Sequence, residues 1–381
     1  MPGDPIAAAA RLRAYLDRRQ PPTPCLAIDL PQVRAAYQDL TAALPSVDLY
    51  YAVKANPAPE LLGALVALGA GFDVASPGEI DLCLAAGADP SRLSYGNPIK
   101  KASDIAHAYT KGVRRFTTDA LSDVEHLARF APGSAVSCRI LVDAPASQTP
   151  FGRKFGCAPS MAVRVLRAAR DLGLDAEGLA FHVGSQHLSP SAWVAGIEQA
   201  AAVWHEVGGL RVLNVGGGFP TGYRSPVRAL PEFGRAIDDA VARSFDEPPL
   251  LVAEPGRALV AEAGVLRSEV VLVTCKSDVD THRWVYLDIG RYGGLAETEL
   301  EMIAYPLATA HDGAEDGPVI IAGPTCDGDD VLYQRTPYRL PLALAAGDHV
   351  DILGAGAYTA SYASVGFNGF PPMSTHCLDA D

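Results

Sequence analysis

Residues 49–57 read LYYAVKANP, and the rest of the chain is best interpreted outward from this stretch. Its apolar, aromatic and β-branched residues end at Asn56-Pro57, which predicts a strand over 49–55 that runs into a turn. Lys54 lies at the end of that strand. A lysine whose stem is held among apolar neighbours loses its proton more readily, and its amine can then form an imine with a carbonyl compound. A lone lysine at this position could equally be a snorkelling surface charge.

Short apolar strands alternate with amphipathic helical segments over the first two thirds of the chain. The predicted strands are 25–30, 49–55, 71–76, 93–96, 115–118, 137–142, 178–183, 212–215 and 250–253. Repeated strand–helix units with nearly continuous apolar strands indicate a parallel sheet covered by helices. About eight such units in this length favour a closed (β/α)8 barrel of the TIM type over an open doubly wound sheet.

The pattern changes from residue 264 onward. Segments rich in Val, Ile and Thr, separated by turn residues, predict strands at 269–275, 283–289, 318–321, 338–342 and 349–353, with a helical stretch near 299–304. This is typical of a mostly antiparallel β-domain. We therefore expect an α/β protein with a barrel over 27–258 and a β-domain formed by 1–26 together with 259–381.

The composition excludes several classes of function. With 381 residues, 49% of them hydrophobic, and a net charge of −13, the chain is typical of a well-packed protein that binds neither nucleic acid nor an anionic membrane. No apolar run is long enough to cross a bilayer, and the N-terminal alanine run is followed at once by Arg11 and Arg13, unlike a signal peptide. Seven cysteines without a CxxC pair predict a cytoplasmic protein with no disulfide framework and no metal site. The acidic balance is compatible with a cationic substrate, although solubility alone accounts for it.

Polar residues stand at the carboxyl ends of the predicted strands, where barrel enzymes place their chemistry. Each could be a structural group by itself, but their shared position favours one site. They are Lys54, Asp73, Arg139, His182, Ser185 and Glu254.

A run of three glycines, 216–218, follows another predicted strand. Backbone amides of Gly217 and Gly218 can approach an anion closely, although a triple glycine can also be only a tight turn. The rigid, bidentate guanidinium of Arg257 suits a phosphate group. A phosphate cradle, an imine-forming lysine, a flat histidine and a buried glutamate together indicate pyridoxal phosphate, because a carboxylate keeps the pyridine nitrogen protonated and the ring electron-accepting.

The β-domain adds its own candidates. Residues 323–330 read GPTCDGDD, in which Cys326 is a candidate proton donor and Asp327 a candidate partner for a substrate ammonium group. Tyr358 is an aromatic residue in a glycine-rich loop, and it is a candidate contact of the phosphate or the ring.

Eight motifs in the same order resemble the ornithine/diaminopimelate/arginine decarboxylases, the group IV pyridoxal-phosphate enzymes with the alanine-racemase fold. The motifs are YYAVKANP, FDVAS, YGNPIK, FHVGSQ, VGGGFP, AEPGR, GPTCDGDD and GAYT. The resemblance implies that Lys54 is the imine lysine, that His182 stacks on the ring and that Glu254 pairs with the pyridinium. It also implies phosphate contacts from Ser185, Gly217, Gly218, Arg257 and Tyr358, with Asp73 and Arg139 beside the lysine.

Within that family, Cys-Asp-Gly at 326–328 is similar to the ornithine decarboxylases, whereas diaminopimelate decarboxylases typically carry Cys-Glu-Ser. The resemblance implies decarboxylation of L-ornithine to putrescine, in polyamine biosynthesis, with Asp327 binding the distal ammonium. It also implies a homodimer in which Cys326, Asp327 and Tyr358 act across the subunit interface.

One departure leaves the substrate open. Animal ornithine decarboxylases place a second aspartate where this chain has Ile289, so that Asp288, Glu297 and Glu299 are candidates to replace it. Decarboxylation of lysine, arginine or a related diamino acid is therefore the alternative. A non-catalytic homologue that pairs with a true enzyme would be expected to lose the lysine, the aspartate or the cysteine. A racemase is disfavoured because it needs a second base.

Overall fold

The computed structural model describes residues 4–142, 147–149 and 153–380. The chain divides into two compact units, one comprising Met1–Ala35, Thr221–Pro226 and Val260–Asp381, the other Ala36–Pro220 and Val227–Leu259. We call the first the β-unit and the second the barrel unit.

The barrel unit is built on eight parallel strands that close into a barrel, which confirms the predicted fold class. The strands are Val47–Ala52, Gly71–Val74, Leu93–Tyr95, Arg115–Thr118, Ala135–Arg139, Asp175–Ala180, Val212–Asn214 and Leu250–Ala253. Each strand is followed by a helix: Pro59–Val66, Pro77–Ala85, Ala102–Thr110, Leu121–Phe130, Pro159–Asp171, Ser191–Val207, Leu230–Ser244 and the short Arg257–Val260. Since all the strands run the same way, their carboxyl ends meet at one mouth of the barrel.

Amphipathic helices cover the outside of the barrel. The helix Pro159–Asp171 buries Ala162, Val165, Leu166 and Ala169, which share one face at the helical repeat of three and four residues. On the strands, small residues permit close packing: a Cβ on Gly178 would lie only 2.0 Å from the carbonyl oxygen of Val212. Both faces of the sheet are therefore buried. This explains the continuous apolar strands and the helices that alternate with them in the sequence.

The β-unit contains an eight-stranded, mostly antiparallel sheet. Its strands are Cys25–Asp29, Gly264–Thr274, Arg283–Leu287, Leu307–Thr309, Asp316–Ala322, Val331–Pro341, His349–Leu353 and Ser374–Leu378. The helix Pro5–Arg19 packs Leu12 and Leu16 against Cys25, Ala27 and Val265 of this sheet. Two of the strands, Leu307–Thr309 and Ser374–Leu378, are short or near the chain end and were not predicted.

The prediction of strand 25–30 among the alternating barrel strands was wrong. Cys25–Asp29 pairs antiparallel with Gly264–Thr274 and parallel with Ser374–Leu378. All five of its residues are buried. A strand covered on both faces has the same continuous apolar pattern as a parallel barrel strand, so the pattern does not reveal which sheet it joins.

One further helix and a two-stranded sheet also belong to the fold. The helix Leu30–Ala43 precedes the first barrel strand, and Ser147–Thr149 pairs antiparallel with Ser185–His187. Within the described parts of the chain, none of the helices combines the length and apolarity that crossing a membrane requires.

Candidate active site

Lys54 and Asp73 are brought together by neighbouring barrel strands. Ala52, the last residue of its strand, is in register with Asp73, and Lys54 follows on the 3-10 turn Val53–Ala55. Nζ of Lys54 lies 3.3 Å from Oδ2 of Asp73. The strand thus ends earlier than predicted, and the turn aims the amine at a buried carboxylate. The Lys54 side chain is 46% exposed while that of Asp73 is 5% exposed, so the lysine is less enclosed than the sequence pattern indicates.

Glu254 follows the strand Leu250–Ala253 and is half-buried at the mouth of the barrel. Nδ2 of Asn214 donates to its Oε1 at 2.5 Å, and Oδ1 of Asn214 accepts the N–H of Gly216 at 2.8 Å. Burial, followed by the nearby negative charge of Asp73, raises the pKa of Glu254 to about 7. A cationic partner would stabilise the ionised form of this carboxyl group. A protonated ring nitrogen would be such a partner.

His182 and Arg139 are half-buried at this mouth. Nδ1 of His182 accepts the N–H of Gly184 at 2.9 Å. Burial lowers the pKa of His182 well below its ordinary range, and the positive charges of Arg139 and Lys54 lower it further. The imidazole is therefore neutral, with its proton on Nε2, and presents a flat face without a charge. Burial also lowers the pKa of Arg139, against the opposing charges of Glu254 and Asp73.

The triple glycine forms a cradle that a side chain would fill. Gly216 and Gly218 have φ values of +70° and +97°, which glycine adopts without strain. A Cβ on Gly217 would lie 2.4 Å from the Glu254 carbonyl oxygen, and one on Gly218 would lie 2.2 Å from that of Gly184. The run therefore requires glycine, and glycine residues without side chains can present backbone amides closely to an anion.

A buried arginine completes the cradle. Arg257 begins the short helix Arg257–Val260, is 3% exposed, and donates from Nη2 to Oγ of Ser185 at 3.2 Å. Ser185 directly follows Gly184, which packs against Gly218. A buried guanidinium, a hydroxyl and glycine amides together suit a phosphate group. The barrel unit therefore has the residues that pyridoxal phosphate requires.

Two buried residues at this end were given no role by the sequence. Asn214, which holds Glu254, stands at a strand end just before the glycines, and the same positional rule would have found it. Lys100, in the YGNPIK motif, is fully buried and donates from Nζ to the Thr117 carbonyl oxygen and to Oδ2 of Asp123, both at 2.8 Å. Its charge is satisfied within the wall of the barrel, which indicates a structural role.

In the β-unit, the carboxylates of the GPTCDGDD turn differ in burial and in hydrogen bonding. Asp330 is buried and accepts from the Arg291 N–H at 2.8 Å and the Thr325 hydroxyl at 2.7 Å, which ties two loops together. Cys326 is exposed and Asp327 is half-buried. The Tyr292 hydroxyl lies within hydrogen-bonding reach of Asp327. Desolvation, followed by this hydrogen bond, raises the pKa of the Tyr292 phenol.

Tyr358 and the two further carboxylates also lie in the β-unit. Tyr358 is half-buried and has a φ of +62°, a conformation that a bulky residue rarely adopts and that often marks a functional position. Asp288 accepts from the Ser268 hydroxyl at 2.6 Å and from the Glu269 N–H at 3.0 Å, which commits one of its oxygens to the sheet. Glu297 is half-buried on the 3-10 segment Ala296–Glu301.

The barrel and its mouth define a class of protein before any comparison is made. A (β/α)8 barrel whose strand ends carry a lysine beside an aspartate, a neutral histidine, a glutamate of raised pKa and an anion cradle is typical of barrels that bind pyridoxal phosphate.

Comparison with known proteins gives the family. A family model described as "Pyridoxal-dependent decarboxylase, pyridoxal binding domain" matches residues 30–261. The lysine/ornithine decarboxylase of Selenomonas ruminantium is 36% identical over 92% of this chain and 88% of its own length. The chloroplastic ornithine decarboxylase of Nicotiana glauca is 32% identical over 91% of this chain and 82% of its own length. The chain belongs to the pyridoxal-dependent decarboxylase family.

Solved structures agree with this assignment. The lysine/ornithine decarboxylase of Vibrio vulnificus, crystallised with cadaverine, superposes with a TM-score of 0.86 at 32% identity, covering 97% of this chain and 98% of that one. The predicted family, pyridoxal phosphate as cofactor and carboxy-lyase chemistry are confirmed, and decarboxylation of a basic amino acid is the activity named in these relatives.

Proposed function

We propose that the enzyme converts L-ornithine to putrescine and accepts L-lysine as the alternative substrate. The observation that carries this proposal is that Cys326 and Asp327 are adjacent on one accessible turn of the β-unit. The Asp327 carboxylate accepts the N–H of Asp329 with Oδ1 at 2.9 Å and has further acceptor capacity. It can therefore bind the distal ammonium of a diamino acid while the neighbouring thiol acts at Cα. Relatives named for ornithine and for both ornithine and lysine support this choice.

The barrel residues divide the work of holding the cofactor. Lys54 would hold its aldehyde carbon covalently, and Asp73 would orient that amine. The phosphate group of the cofactor would be held by Arg257, Ser185 and the glycine amides. His182 would cover the ring face, and the Glu254 carboxylate would keep the ring nitrogen protonated. When bound, pyridoxal phosphate supplies the electron sink for the bond that breaks at Cα.

The remaining steps belong to the chain's own side chains. Asp327 anchors the distal ammonium and thereby sets the distance between that group and Cα. Carbon dioxide leaves with its bond electrons retained at Cα, and the thiol of Cys326 transfers its proton from Sγ to that carbon. The sulfur is left as a thiolate, which regains a proton from solvent before the next turnover. Once the diamine has left, Lys54 would again hold the cofactor.

We propose that the working enzyme is a cytoplasmic homodimer with shared sites. The barrel unit would bind the cofactor, and the β-unit, which includes the strand Cys25–Asp29, would supply Cys326, Asp327 and Tyr358 to the partner subunit. The support is an apolar surface on the β-unit, where Tyr362, Val365, Phe367 and Phe370 are exposed. Exposed aromatic residues clustered near reactive groups are typical of an interface.

The deciding experiment is carbon dioxide release from purified protein with L-ornithine, L-lysine, L-arginine, meso-diaminopimelate and D-ornithine. We expect the highest kcat/KM for L-ornithine, then L-lysine. A preference for L-arginine or meso-diaminopimelate would contradict the proposed substrate but leave the reaction intact. A colourless protein that releases no carbon dioxide from any of the five would identify a non-catalytic homologue instead.

A further inference from the structure

The side chain of Asn368 contacts Cys326 at both its backbone and its sulfur. Asn368 lies on the short 3-10 turn Phe367–Gly369 of the β-unit. Its Oδ1 accepts the N–H of Cys326 at 3.2 Å, and its Nδ2 lies 3.3 Å from Sγ. The two residues are 42 positions apart in the chain.

The backbone contact determines which way the amide faces. A peptide N–H can only donate, so the atom of Asn368 opposite it must be the carbonyl oxygen. Sγ lies 3.3 Å from the NH2 nitrogen and 3.5 Å from Oδ1 of the same amide. The neutral thiol can therefore donate to Oδ1, and the thiolate that remains after proton transfer can accept from Nδ2.

The turn that carries Asn368 is held in place. Asn368 has a φ of +50°, a conformation that asparagine tolerates better than most residues, and it is flanked by Gly366 and Gly369 at positive φ. The ring of Phe367 packs against that of Tyr292 at a centroid distance of 4.7 Å. The amide is thus presented to Cys326 by an exposed turn that the contact between Phe367 and Tyr292 joins to a neighbouring loop.

We infer that Asn368 is a positioning residue for Cys326: it holds Sγ in one orientation and stabilises the negative charge that develops as the thiol gives its proton to Cα. This inference rests on the proposed function of Cys326. A thiol that is aimed and stabilised in this way protonates one carbon of the substrate-derived carbanion in preference to another. Loss of the amide should therefore change the product as well as the rate.

The first test measures the thiol and not the reaction. Asn368→Asp keeps the shape, the acceptor for the Cys326 N–H and tolerance of positive φ, but it replaces the donor to sulfur with a negatively charged acceptor. In the full-length holoenzyme, we expect iodoacetamide to alkylate Cys326 roughly threefold to tenfold more slowly in this variant, the usual worth of one hydrogen bond. Asn368→Gly removes both contacts and should show the same slowing. Peptide mass spectrometry gives the rates, with the exposed Cys275 as internal reference.

The second test measures where the proton goes. With L-ornithine, both Asn368 variants should convert a larger share of turnovers to aminoaldehyde, with matching loss of the cofactor's aldehyde, while substrate KM changes little. Alkylation rates and product ratios equal to those of the unmodified enzyme in Asn368→Asp would overturn the inference and leave the amide as a loop contact only.

Cys326→Ala separates this inference from the proposed function. If that variant misdirects the proton while Asn368→Asp behaves as the unmodified enzyme, only the role of Asn368 is overturned. If Cys326→Ala forms putrescine normally, the proposed role of Cys326 fails. The role of Asn368 as a positioning residue then fails with it, whatever the alkylation rates.

Discussion

The barrel unit and the β-unit present their reactive groups in opposite ways. In the barrel unit, the surrounding strand ends desolvate Glu254, His182 and Arg139, and this desolvation shifts the pKa of each. In the β-unit, Cys326 is exposed and Asp327 is half-buried on a turn. The barrel therefore creates the electrostatic environment of its site from its own strands, whereas the β-unit offers side chains whose environment depends on what covers them. Cofactor chemistry suits the first arrangement, and substrate selection suits the second.

Lys54→Ala tests the barrel unit alone and carries the largest expected effect. Without the amine, the cofactor has no covalent attachment and the product no displacing group, so carbon dioxide release should fall to background. The purified variant should also lack visible cofactor absorbance and a borohydride-reducible adduct at position 54. The exposed Lys101→Ala serves as control and should keep both. A coloured, active Lys54→Ala would remove this lysine from the mechanism.

A mixture of two inactive variants tests whether the two units work across subunits. Lys54→Ala and Cys326→Ala should each be severely impaired. After unfolding and refolding together, random pairing should restore about a quarter of the normal activity, because half of the dimers are mixed and each mixed dimer holds one intact site. No recovery in a mixture shown by mass spectrometry to contain mixed dimers would place both residues in the same subunit's site.

Asp327→Asn tests the β-unit as the selector of substrate. Loss of a charged partner for the distal ammonium should lower kcat/KM for L-ornithine by roughly tenfold to a hundredfold, as a charge-assisted hydrogen bond contributes about 1.5–3 kcal/mol. Asp329→Asn is the matched control, since its exposed carboxylate stands two residues away. Equal losses in both variants would indicate a general effect of charge rather than recognition by Asp327.

Glu254→Gln, in protein freed of cofactor, tests the buried electrostatics of the barrel with the smallest expected effect. The pKa of Glu254 is raised from near 4.5 to about 7 in the folded state, so the folded protein holds a proton that the unfolded chain releases between these pH values. Stability must then fall as pH rises through this window. The glutamine variant should therefore gain up to about 3 kcal/mol over the unmodified protein at pH 8, and little at pH 4.5.

Guanidinium unfolding at the two pH values measures this difference. The exposed Glu198→Gln should show no pH-dependent gain. If the Glu254→Gln gain were the same at both pH values, burial would not be the source of the raised pKa, and the contrast between the two units would weaken.

The strand-end rule accounts for what could be predicted about the site. It identified Lys54, Asp73, His182 and Glu254 from sequence, because parallel strands in a barrel must deliver their carboxyl ends to one mouth. The rule has no counterpart in the β-unit, where the contact between Asn368 and Cys326 joins two turns far apart in the chain. The prediction that Cys25–Asp29 joins the barrel was wrong for a related reason. The apolar pattern of a strand does not indicate which strand it pairs with.

The sequence by itself determined the alternation of strands and helices, the chemical types at the strand ends and the motifs that define the family, because these depend on residue order and local periodicity. The tertiary structure alone decided which groups are buried, which nitrogen of His182 carries the proton, and which carboxylates of the GPTCDGDD turn are committed to the fold. The reason is physical: desolvation and hydrogen-bond partnership depend on atoms brought close by folding, and their positions in the chain do not record that proximity.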